Sequence, residues 1–417
     1  SFNKKEGILI YWNPLKILGA IKKMKESLFN YRFEYENQKY IFNTNNNGLI
    51  QINNDIFTEE EREYLRVNRF WVDDNEDEIA LLEREINHNI QKRQKELELT
   101  IALTNYCNFS CVYCYQNKNE KLMTTEVANM IIEKIDRILN DNIFEGINIH
   151  YFGGEPLLNI PVLIYLDENI KKITDKIGIV YKAFLTTNGS MLSKELLQKV
   201  KFSSIQLTFD GLEKTHDTLR VSDHFHFKEE IELIENIMNF SQAKVLLRTN
   251  ICKENKDEII ALHKYIFEKF GNERIEINPN RTIKYHQDDS FEMLSVQEYA
   301  EVAYQIKLLW SEQKGKFELP VPRSTPCKFP YGNAYAISPE GYCTFCSGSM
   351  DQEKKYFFDV DIENKKMFSV RKECKKCNIL PLCLGGCIIQ YNLRAGACTY
   401  EKYELKNILI SYIKHIS

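Results

Sequence analysis

Apolar strands alternate with amphipathic helices from residue 99 to about residue 313, and this pattern constrains the fold of the chain more than any other feature. In the helical stretch 125–140, for example, apolar residues recur at spacings that place them on one helix face. Such alternation predicts βα repeats around a parallel sheet. The six candidate strands are residues 99–104, 147–152, 182–186, 205–209, 245–250 and 275–278. Because a closed TIM barrel needs eight strands, we expect an α/β fold built as an open, partial (β/α)6 barrel.

Distinctive segments follow the first four strands at their carboxyl ends, where βα loops converge and chemistry gathers. Three cysteines at i, i+4 and i+7 on one loop can supply three thiolates to one iron–sulfur cluster, leaving one iron without a protein ligand. An incomplete zinc site or three buried cysteines are the alternatives. Each of the other segments, read alone, is an ordinary turn. In chain order the segments are Cys107-x3-Cys111-x2-Cys114, Gly153-Gly154-Glu155-Pro156, Thr187-Asn188-Gly189 and Asp210-Gly211.

Charge and composition narrow the class of protein. The 417 residues include Lys+Arg 55 and Asp+Glu 59, a net charge of −4, which gives no support to nucleic-acid binding. The apolar runs are too short to span a bilayer, and the N-terminus lacks the layout of a signal peptide. We therefore expect a cytoplasmic protein with neither a membrane nor a nucleic-acid partner. In that compartment thiols stay reduced, so the 12 cysteines are predicted to be metal ligands rather than disulfides.

Eight cysteines fall in the last quarter of the chain. The block Cys374-x2-Cys377-x5-Cys383-x3-Cys387 suits a zinc ribbon as well as an iron–sulfur cluster by spacing alone. Cys252 stands apart, after a strand, and is predicted to be a buried small hydrophobe.

The segments at the strand ends resemble the motifs of the radical S-adenosylmethionine (SAM) superfamily. The three-cysteine loop, with Tyr113 before its last cysteine, is similar to the superfamily's cluster motif. Residues 153–156 resemble the segment whose backbone and Glu hold the methionine amino group, and residues 187–189 resemble the segment near the methionyl and ribose groups. The resemblance implies that the open iron binds SAM, whose cleavage gives methionine and a 5′-deoxyadenosyl radical that abstracts a substrate hydrogen.

Residues 207–220 resemble a run typical of the superfamily's peptide-modifying members, "S-x-D-G … H-D … R", with Thr208 in place of the usual Ser. Residues 248–250 also match a polar strand end common there. The cofactor-binding residues that the resemblance implies are Tyr113, Gly153, Gly154, Glu155, Pro156, Thr187, Asn188, Asp210, Arg220 and Arg248.

The cysteine-rich tail is similar to the seven-cysteine pattern of SPASM domains, which carry two auxiliary [4Fe–4S] clusters, so that three clusters are expected in all. The resemblance assigns Cys374, Cys377, Cys383 and Cys398 to the outer auxiliary cluster, and Cys327, Cys346 and Cys387 to the inner one. Cys343 forms a Cys-x2-Cys pair with Cys346 and is the candidate fourth inner ligand. If Cys343 ligates, the inner cluster is closed and passes electrons; if it does not, the cluster is free to bind a substrate thiolate.

The first 95 residues hold no cysteine. Candidate strands at 31–36, 39–43 and 49–53 precede candidate helices at 58–67 and 76–93. This layout resembles the winged-helix precursor-recognition modules that bind a leader peptide as an added strand; a plain structural extension is the alternative. An acidic run at 73–78 argues against DNA binding. We predict three domains: 1–95 for peptide recognition, 96–315 as the partial barrel and 316–417 as the SPASM domain.

Radical SAM proteins with such a tail mostly modify peptides. Sulfatase maturases carry an Asp directly after the cysteine that corresponds to Cys346, and Ser347 stands here instead, which disfavours formylglycine formation. The resemblance therefore implies an oxidoreductase-type peptide cyclase that forms a thioether or carbon–carbon cross-link. Its partners would be a precursor peptide and an electron donor such as flavodoxin or ferredoxin. Formylglycine formation and epimerisation are the enzymatic alternatives, and a non-catalytic zinc scaffold is a remote one.

Overall fold

The computed structural model describes residues 23–52, 57–141, 144–271, 273–284, 290–344, 346–349, 355–360, 367–387 and 398–416. The chain forms two compact units. The first comprises residues 1–89, 303–327 and 367–417, and the second comprises residues 90–302 and 328–366.

The N-terminal part of the first unit is a three-stranded antiparallel sheet followed by two helices. The sheet has the order β2-β3-β4, and β1 pairs separately with β5. Thr58 caps the first helix through a reciprocal pair of bonds with Glu61, which fixes where the helix begins. The structure confirms the three predicted strands and two predicted helices to within two residues and adds two short strands. In chain order the elements are β1 (Met24–Glu26), β2 (Asn30–Tyr35), β3 (Gln38–Asn43), β4 (Gly48–Ile52), α1 (Glu59–Val67), β5 (Trp71–Asp73) and α2 (Glu78–Arg93).

A parallel sheet with covering helices forms the second unit. Six consecutive parallel strands confirm the predicted partial barrel, each pairing with the next along the chain. These strands are β6 (Glu96–Ala102), β7 (Gly146–Phe152), β8 (Val180–Thr186), β9 (Phe202–Thr208), β10 (Lys244–Ile251) and β11 (Ile275–Arg281). The intervening helices are α3 (Thr125–Asp141), α4 (Ile160–Ile177), α5 (Lys194–Lys199), α6 (Glu213–Leu219), α7 (Phe227–Phe240) and α8 (Ile259–Phe270). The next helix, α9 (Val296–Lys314), belongs to the first unit from residue 303 onward.

Side chains alternate along these strands. In β6 the fully buried Leu97, Leu99 and Ile101 occupy one face, while Glu98 and Thr100 occupy the other. In β7, Ile147 and Ile149 alternate in the same way with polar residues. The helix-facing side of the sheet is therefore apolar, and the opposite, concave side carries polar groups. Strands of a parallel sheet that is packed on both faces would instead be apolar throughout.

The tail is divided between the two units. Its first part extends the large sheet, since β12 (Ala334–Ile337) pairs in parallel with β6 and is followed by antiparallel β13 (Tyr342–Thr344) and β14 (Lys355–Tyr356). A short helix, α10 (Lys328–Tyr331), precedes them. The predicted boundaries 1–95, 96–315 and 316–417 therefore do not coincide with the compact units, because strand pairing holds residues 328–366 in the sheet unit.

The second part of the tail packs on the N-terminal sheet. Phe33 and Phe42 form a buried cluster with residues of α11 (Leu380–Cys383) and α12 (Glu401–Ile416). The Thr44 hydroxyl donates to the Asn378 carbonyl oxygen at 2.5 Å. On the opposite face of the sheet, Ile41 and Ile50 pack with residues of α1 and its neighbourhood. Both faces of the three-stranded sheet are thus covered, whereas β2 and β4 each pair with β3 alone among the described strands.

Among the described residues, no helix combines the length and the apolar character needed to cross a membrane.

A buried histidine on α8 makes the second unit sensitive to acid. Burial lowers the pKa of His263 to about 4, and its Nε2 lies 3.2 Å from the Thr249 hydroxyl. As the pH falls from 6.5 towards 4, the unfolded chain binds a proton that the folded imidazole does not, so the free energy of unfolding decreases. This histidine should account for about 2 kcal/mol of that loss at pH 5.

We expect His263→Gln, which does not titrate, to reduce the difference in unfolding free energy between pH 7 and pH 5 by about that amount in urea titrations. His88→Gln at an exposed helix position controls for the substitution itself. An unchanged pH dependence in His263→Gln would contradict the assignment.

Candidate active site at the carboxyl end of the sheet

The three-cysteine loop leaves the carboxyl end of β6 and is held in place by backbone bonds. The Ser110 and Val112 amides donate to the carbonyl oxygens of Val221 and Leu219, at 2.8 and 3.0 Å. The Phe109 amide points at the Cys107 sulfur, 3.4 Å away. An amide donor of this kind stabilises a thiolate, so the loop is arranged for ligand chemistry rather than for simple packing.

The three thiols lie within electrostatic reach of one another. Burial raises the pKa of Cys107, and the Cys114 thiolate raises it further. Burial likewise raises the pKa of Cys111 to about 11; the nearby Arg220 guanidinium opposes this, and the other two thiolates add to it. Metal binding would relieve this repulsion, because thiolates are the ligands of iron–sulfur clusters. The donor set therefore fits a cluster with three protein ligands. Among the described residues, no three His, Cys, Asp or Glu side chains are arranged to hold a single metal ion.

Two glycines bring the end of β7 into contact with the start of the cysteine loop. The Gly154 and Glu155 amides donate to the carbonyl oxygens of Thr104 and Tyr106, both at 2.9 Å. A Cβ on Gly153 would lie 2.3 Å from the Thr104 oxygen, and one on Gly154 would lie 2.2 Å from the Tyr106 oxygen. No side chain fits there, which explains why this turn carries two glycines.

Glu155 is fully buried and joins the ends of β7 and β8. Its Oε1 accepts from the Thr187 hydroxyl at 2.6 Å and from the Leu157 amide at 3.0 Å, while Oε2 accepts from the Asn188 amide at 2.6 Å. Burial raises the pKa of this carboxyl to about 7, against the lowering effect of these donors. Sequence reasoning had expected the carboxylate to hold an amine. The structure shows it first as a clamp within the chain, with one lone pair left on Oε2 for a further donor.

Asn188 connects that clamp to the cysteine loop. Its Nδ2 donates to the Asn108 side chain at 2.8 Å and lies 3.9 Å from the Cys107 sulfur, and its Oδ1 accepts from the Ser190 amide and hydroxyl. Pro156 is buried at the start of a short 3-10 helix. The three segments predicted at the first three strand ends are therefore brought together at one edge of the sheet.

The fourth predicted segment anchors the other side of the loop. The Tyr113 hydroxyl donates to Asp210, whose second oxygen accepts from the Asn250 amide at 2.7 Å. Burial raises the pKa of Asp210, and the Arg220 guanidinium lowers it. The structure thus uses Tyr113 and Asp210 to fix the loop, and their predicted contacts with a cofactor stay a prediction.

Two arginines supply positive charge at this edge. Arg220 lies over the Phe109 ring at 5.4 Å, and its Nη1 is 3.4 Å from the Tyr113 hydroxyl. Its Nε is buried without a hydrogen-bond partner among the described residues, an arrangement that suits an anionic group such as the SAM carboxylate. Arg248 is half-buried and donates through Nε to Asn250 at 2.8 Å. Burial lowers the pKa of its guanidinium.

The first unit contains the four cysteines predicted to hold the outer cluster, and electrostatic effects link Cys377 to each of the other three. Burial raises the pKa of Cys377, and the thiolates of Cys398 and Cys374 raise it further. Burial also raises the pKa of Cys383 to about 11, with a contribution from Cys377. A [4Fe–4S] cluster with full protein ligation needs four thiolates, and the ligation of one cluster by these four cysteines stays a prediction.

The cysteines predicted for the inner cluster fall in both units. Cys343 is buried on β13, and the sulfur of the half-buried Cys346 accepts from the Gly348 amide at 3.3 Å. Cys327 and Cys387 are exposed and belong to the first unit. Their ligation of one common cluster, with or without Cys343, stays a prediction.

Tyr151 lies outside the site, whereas Cys252 packs beside the cysteine loop without being part of a motif. The Tyr151 hydroxyl is 3.3 Å from that of Tyr181, which in turn bonds Asp167 on α4, so Tyr151 lies on the helix-facing side of the sheet. Cys252 is fully buried and packs with Leu219 and Phe291, as predicted for a small hydrophobe.

Sequence reasoning missed a row of polar residues on the concave face of the sheet. His150 on β7 bonds Thr186 on β8 through Nε2 at 2.7 Å, and Gln206 on β9 also reaches Thr186. One sequence signal pointed to this row. Strands of a parallel sheet that is covered on both faces are apolar throughout, whereas polar and apolar residues alternate in these strands.

Comparison with known proteins agrees with this geometry. Residues 101–266 match the family profile described as Radical SAM superfamily. The radical SAM cyclopropyl synthase TigE of Paramaledivibacter caminithermalis is 24% identical over 371 residues, which are 78% of this chain and 76% of TigE. The uncharacterized protein MJ0907 of Methanocaldococcus jannaschii is 35% identical over 126 residues, 29% of this chain and 41% of that protein. A GTP 3′,8-cyclase of Helicobacter pylori is 31% identical over 186 residues, 43% of this chain and 53% of the cyclase. The chain thus spans about half or less of two of these relatives.

Solved structures share the fold. The structure of native anSMEcpe with bound AdoMet and Cp18Cys peptide superposes with a TM-score of 0.60 and 18% identity, covering 77% of this chain and 98% of that one. The structure of Streptococcus suis SuiB bound to precursor peptide SuiA superposes with a TM-score of 0.53 and 15% identity, covering 89% of this chain and 97% of that one.

Replacing the clamp carboxylate should weaken the site's framework. In Glu155→Gln, the side-chain amide would direct its own hydrogens at the Thr187, Asn188 or Leu157 donors, leaving buried donors unpaired. We expect a loss of about 1–3 kcal/mol in the free energy of unfolding. We also expect weaker SAM binding, measured by isothermal titration on anaerobically reconstituted protein. Glu168→Gln, at an exposed position on α4, is the matched control and should change stability by no more than about 0.5 kcal/mol. Equal stability of the two variants would show that the clamp is dispensable.

Proposed function

We propose that this chain, whose residues 101–266 belong to the radical SAM superfamily, modifies a ribosomally made peptide by forming a thioether or carbon–carbon cross-link. The observation that carries the radical chemistry is the three-cysteine loop, bonded at the strand ends to the Gly153–Gly154 turn and, through Asn188, to the Glu155 clamp. The peptide substrate is supported by the N-terminal sheet.

In this proposal Cys107, Cys111 and Cys114 hold the SAM-binding cluster. When bound, the cluster and SAM supply a radical able to remove hydrogen from carbon. The chain's own residues bind and orient that group. The backbone of the glycine turn and the remaining lone pair of Glu155 receive the amino group, and the guanidinium of Arg220 faces the carboxylate.

The N-terminal sheet offers its edge to a peptide. Aromatic and apolar packing covers both of its faces, so an extended segment can add only along β2 or β4. We favour β4, because α1 packs on the same strand through Leu65 and provides side-chain contacts beside the edge. Main-chain bonds along an added strand give affinity that depends little on sequence, and neighbouring side chains add selectivity.

Two proteins of the same fold support a peptide substrate, because the SuiB and anSMEcpe structures contain peptides. TigE, named a radical SAM cyclopropyl synthase, supports radical chemistry that forms a bond. The four tail cysteines of the first unit would hold an auxiliary cluster, which is a natural acceptor for the electron released when a cross-link closes. An external donor such as flavodoxin or ferredoxin would supply the electron that starts the reaction.

The test uses the reconstituted enzyme, SAM, dithionite and a synthetic candidate precursor peptide, translated from a short reading frame next to the gene. A cross-link removes two hydrogens from the peptide, and mass spectrometry should show this loss together with formation of 5′-deoxyadenosine. A parallel reaction replaces the peptide with GTP, since GTP 3′,8-cyclases match part of the chain.

Deoxyadenosine formed with an unchanged peptide mass would contradict the proposal. Incorporation of deuterium from D2O at unchanged mass in H2O would identify epimerisation instead. Consumption of GTP would identify a nucleotide cyclase.

A further inference from the structure

A cavity of about 210 Å³ lies on the concave side of the large sheet, below the strand ends that carry the active site. Its lining includes His150, Thr186, Ser204 and Gln206 from three adjacent strands, with Phe184 and Leu246 as apolar members. Thr186 is the last residue of β8 and directly precedes Thr187, which bonds the Glu155 clamp. The cavity therefore begins one residue from the cofactor-binding framework.

The polar side chains on this face form a hydrogen-bonded row with one direction of donation. Asn280 donates to Asn278 at 2.7 Å, Asn278 donates to Gln206 at 3.3 Å, and Gln206 donates to the Thr186 oxygen at 3.4 Å. Thr186 has one hydroxyl hydrogen, which is then available for Nε2 of His150 at 2.7 Å. Burial lowers the pKa of His150 to about 4, so the ring is neutral at pH 7. With Nε2 accepting from Thr186, the ring hydrogen is assigned to Nδ1, which can then donate to an acceptor atom.

The charged groups near the cavity compensate each other. Lys328 pairs with Glu98 at 2.6 Å, and Arg93 pairs with the other oxygen of Glu98 at 3.1 Å. Glu96 supplies a second acid and accepts from the Asn148 amide at 2.9 Å. The two charged residues that line the cavity, Glu98 and Lys328, thus carry no net charge together. A ligand that brought a charge of its own would lose its hydration without gaining a partner.

The size of the cavity suits one side chain. Sites for whole small molecules are larger, about 300 Å³ or more. The row of hydrogen bonds ends at the neutral ring of His150, which can donate, and Phe184 and Leu246 add apolar surface. These features match a side chain that presents an uncharged oxygen.

We propose that this cavity receives an uncharged, oxygen-bearing side chain of the peptide, a hydroxyl or a carboxamide, and that His150, Thr186 and Gln206 select it. The inference rests on the proposed function and extends it, because it names the class of residue held beneath the reacting carbon. These three residues determine specificity and take no part in SAM cleavage.

The test compares Thr186→Val with Thr186→Ser. Valine keeps the shape of threonine but removes the hydroxyl that joins Gln206 to His150, whereas serine keeps the hydroxyl. With the same candidate precursor peptide as the probe, we expect KM to rise about tenfold in T186V with kcat little changed, and to stay near wild type in T186S. Formation of deoxyadenosine without peptide should be the same in all three proteins. Gln206→Met, which breaks the same row, is the second variant should T186V not fold.

Peptide variants then identify the residue that enters the cavity. Each Ser, Thr, Asn and Gln of the peptide is replaced in turn by Ala. One replacement should raise KM about tenfold for the wild-type enzyme, yet add little to the effect of T186V, because both changes remove the same interaction. Replacing that residue by Asp should be worse than Ala, since the cavity has no net charge to match.

A wild-type enzyme that leaves the peptide unmodified would overturn the proposed function and this inference with it. A wild-type enzyme that modifies the peptide, with unchanged KM in both T186V and Q206M, would overturn the selection by this cavity alone. If the effects of T186V and of every peptide replacement on KM were additive, selection by this cavity would likewise be overturned.

Discussion

The burial of one carboxylate, Glu155, is the interaction on which the candidate site depends. A carboxylate without water is stable only when donors surround it, and this one takes its donors from its own helix start and from the end of the neighbouring strand, β8. The Gly153–Gly154 turn just before it is bonded to the base of the cysteine loop. Three strand ends are therefore held in one arrangement by hydrogen bonds within the chain. Preorganisation of this kind lets the backbone act as a binding surface.

Much of the fold could be predicted from the sequence because its signals are local. The apolar period of each strand, the Thr58 cap and the strand-end motifs all act within a few residues. The division of the tail could not be predicted, since the pairing of β12 with β6 and the packing of α12 on the first sheet join residues hundreds of positions apart. The site residues were found by motif, but the role of Glu155 as a clamp was not, because spacing does not show which donors a buried side chain meets. The row from Asn280 to His150 could not be predicted for a related reason: its members are spread over four strands, and none belongs to a motif.

Packing of the tail on the N-terminal sheet gives the first unit a further property. Asn378, the residue after Cys377, donates to the Asn30 carbonyl on β2 and accepts from Thr44 after β3. A cluster held by the four tail cysteines would thus order the segment around Asn378 that packs against the sheet. Metal binding and folding are coupled wherever the ligands come from flexible loops. The same segment therefore supports two proposed elements: the sheet that would bind the peptide, and the four cysteines whose cluster would accept the electron released from it.

The central claim is that the cysteines hold iron–sulfur clusters for radical chemistry on SAM. The most direct measurement is the iron, sulfide and zinc content of anaerobically reconstituted protein, together with the 5′-deoxyadenosine that it forms from SAM and a reductant. Three four-iron clusters predict about 12 Fe per chain with deoxyadenosine produced, and replacing Cys107, Cys111 and Cys114 by Ala should leave about eight Fe and no deoxyadenosine. Stoichiometric zinc, no iron and no cleavage of SAM would contradict the account and identify a zinc-bound scaffold.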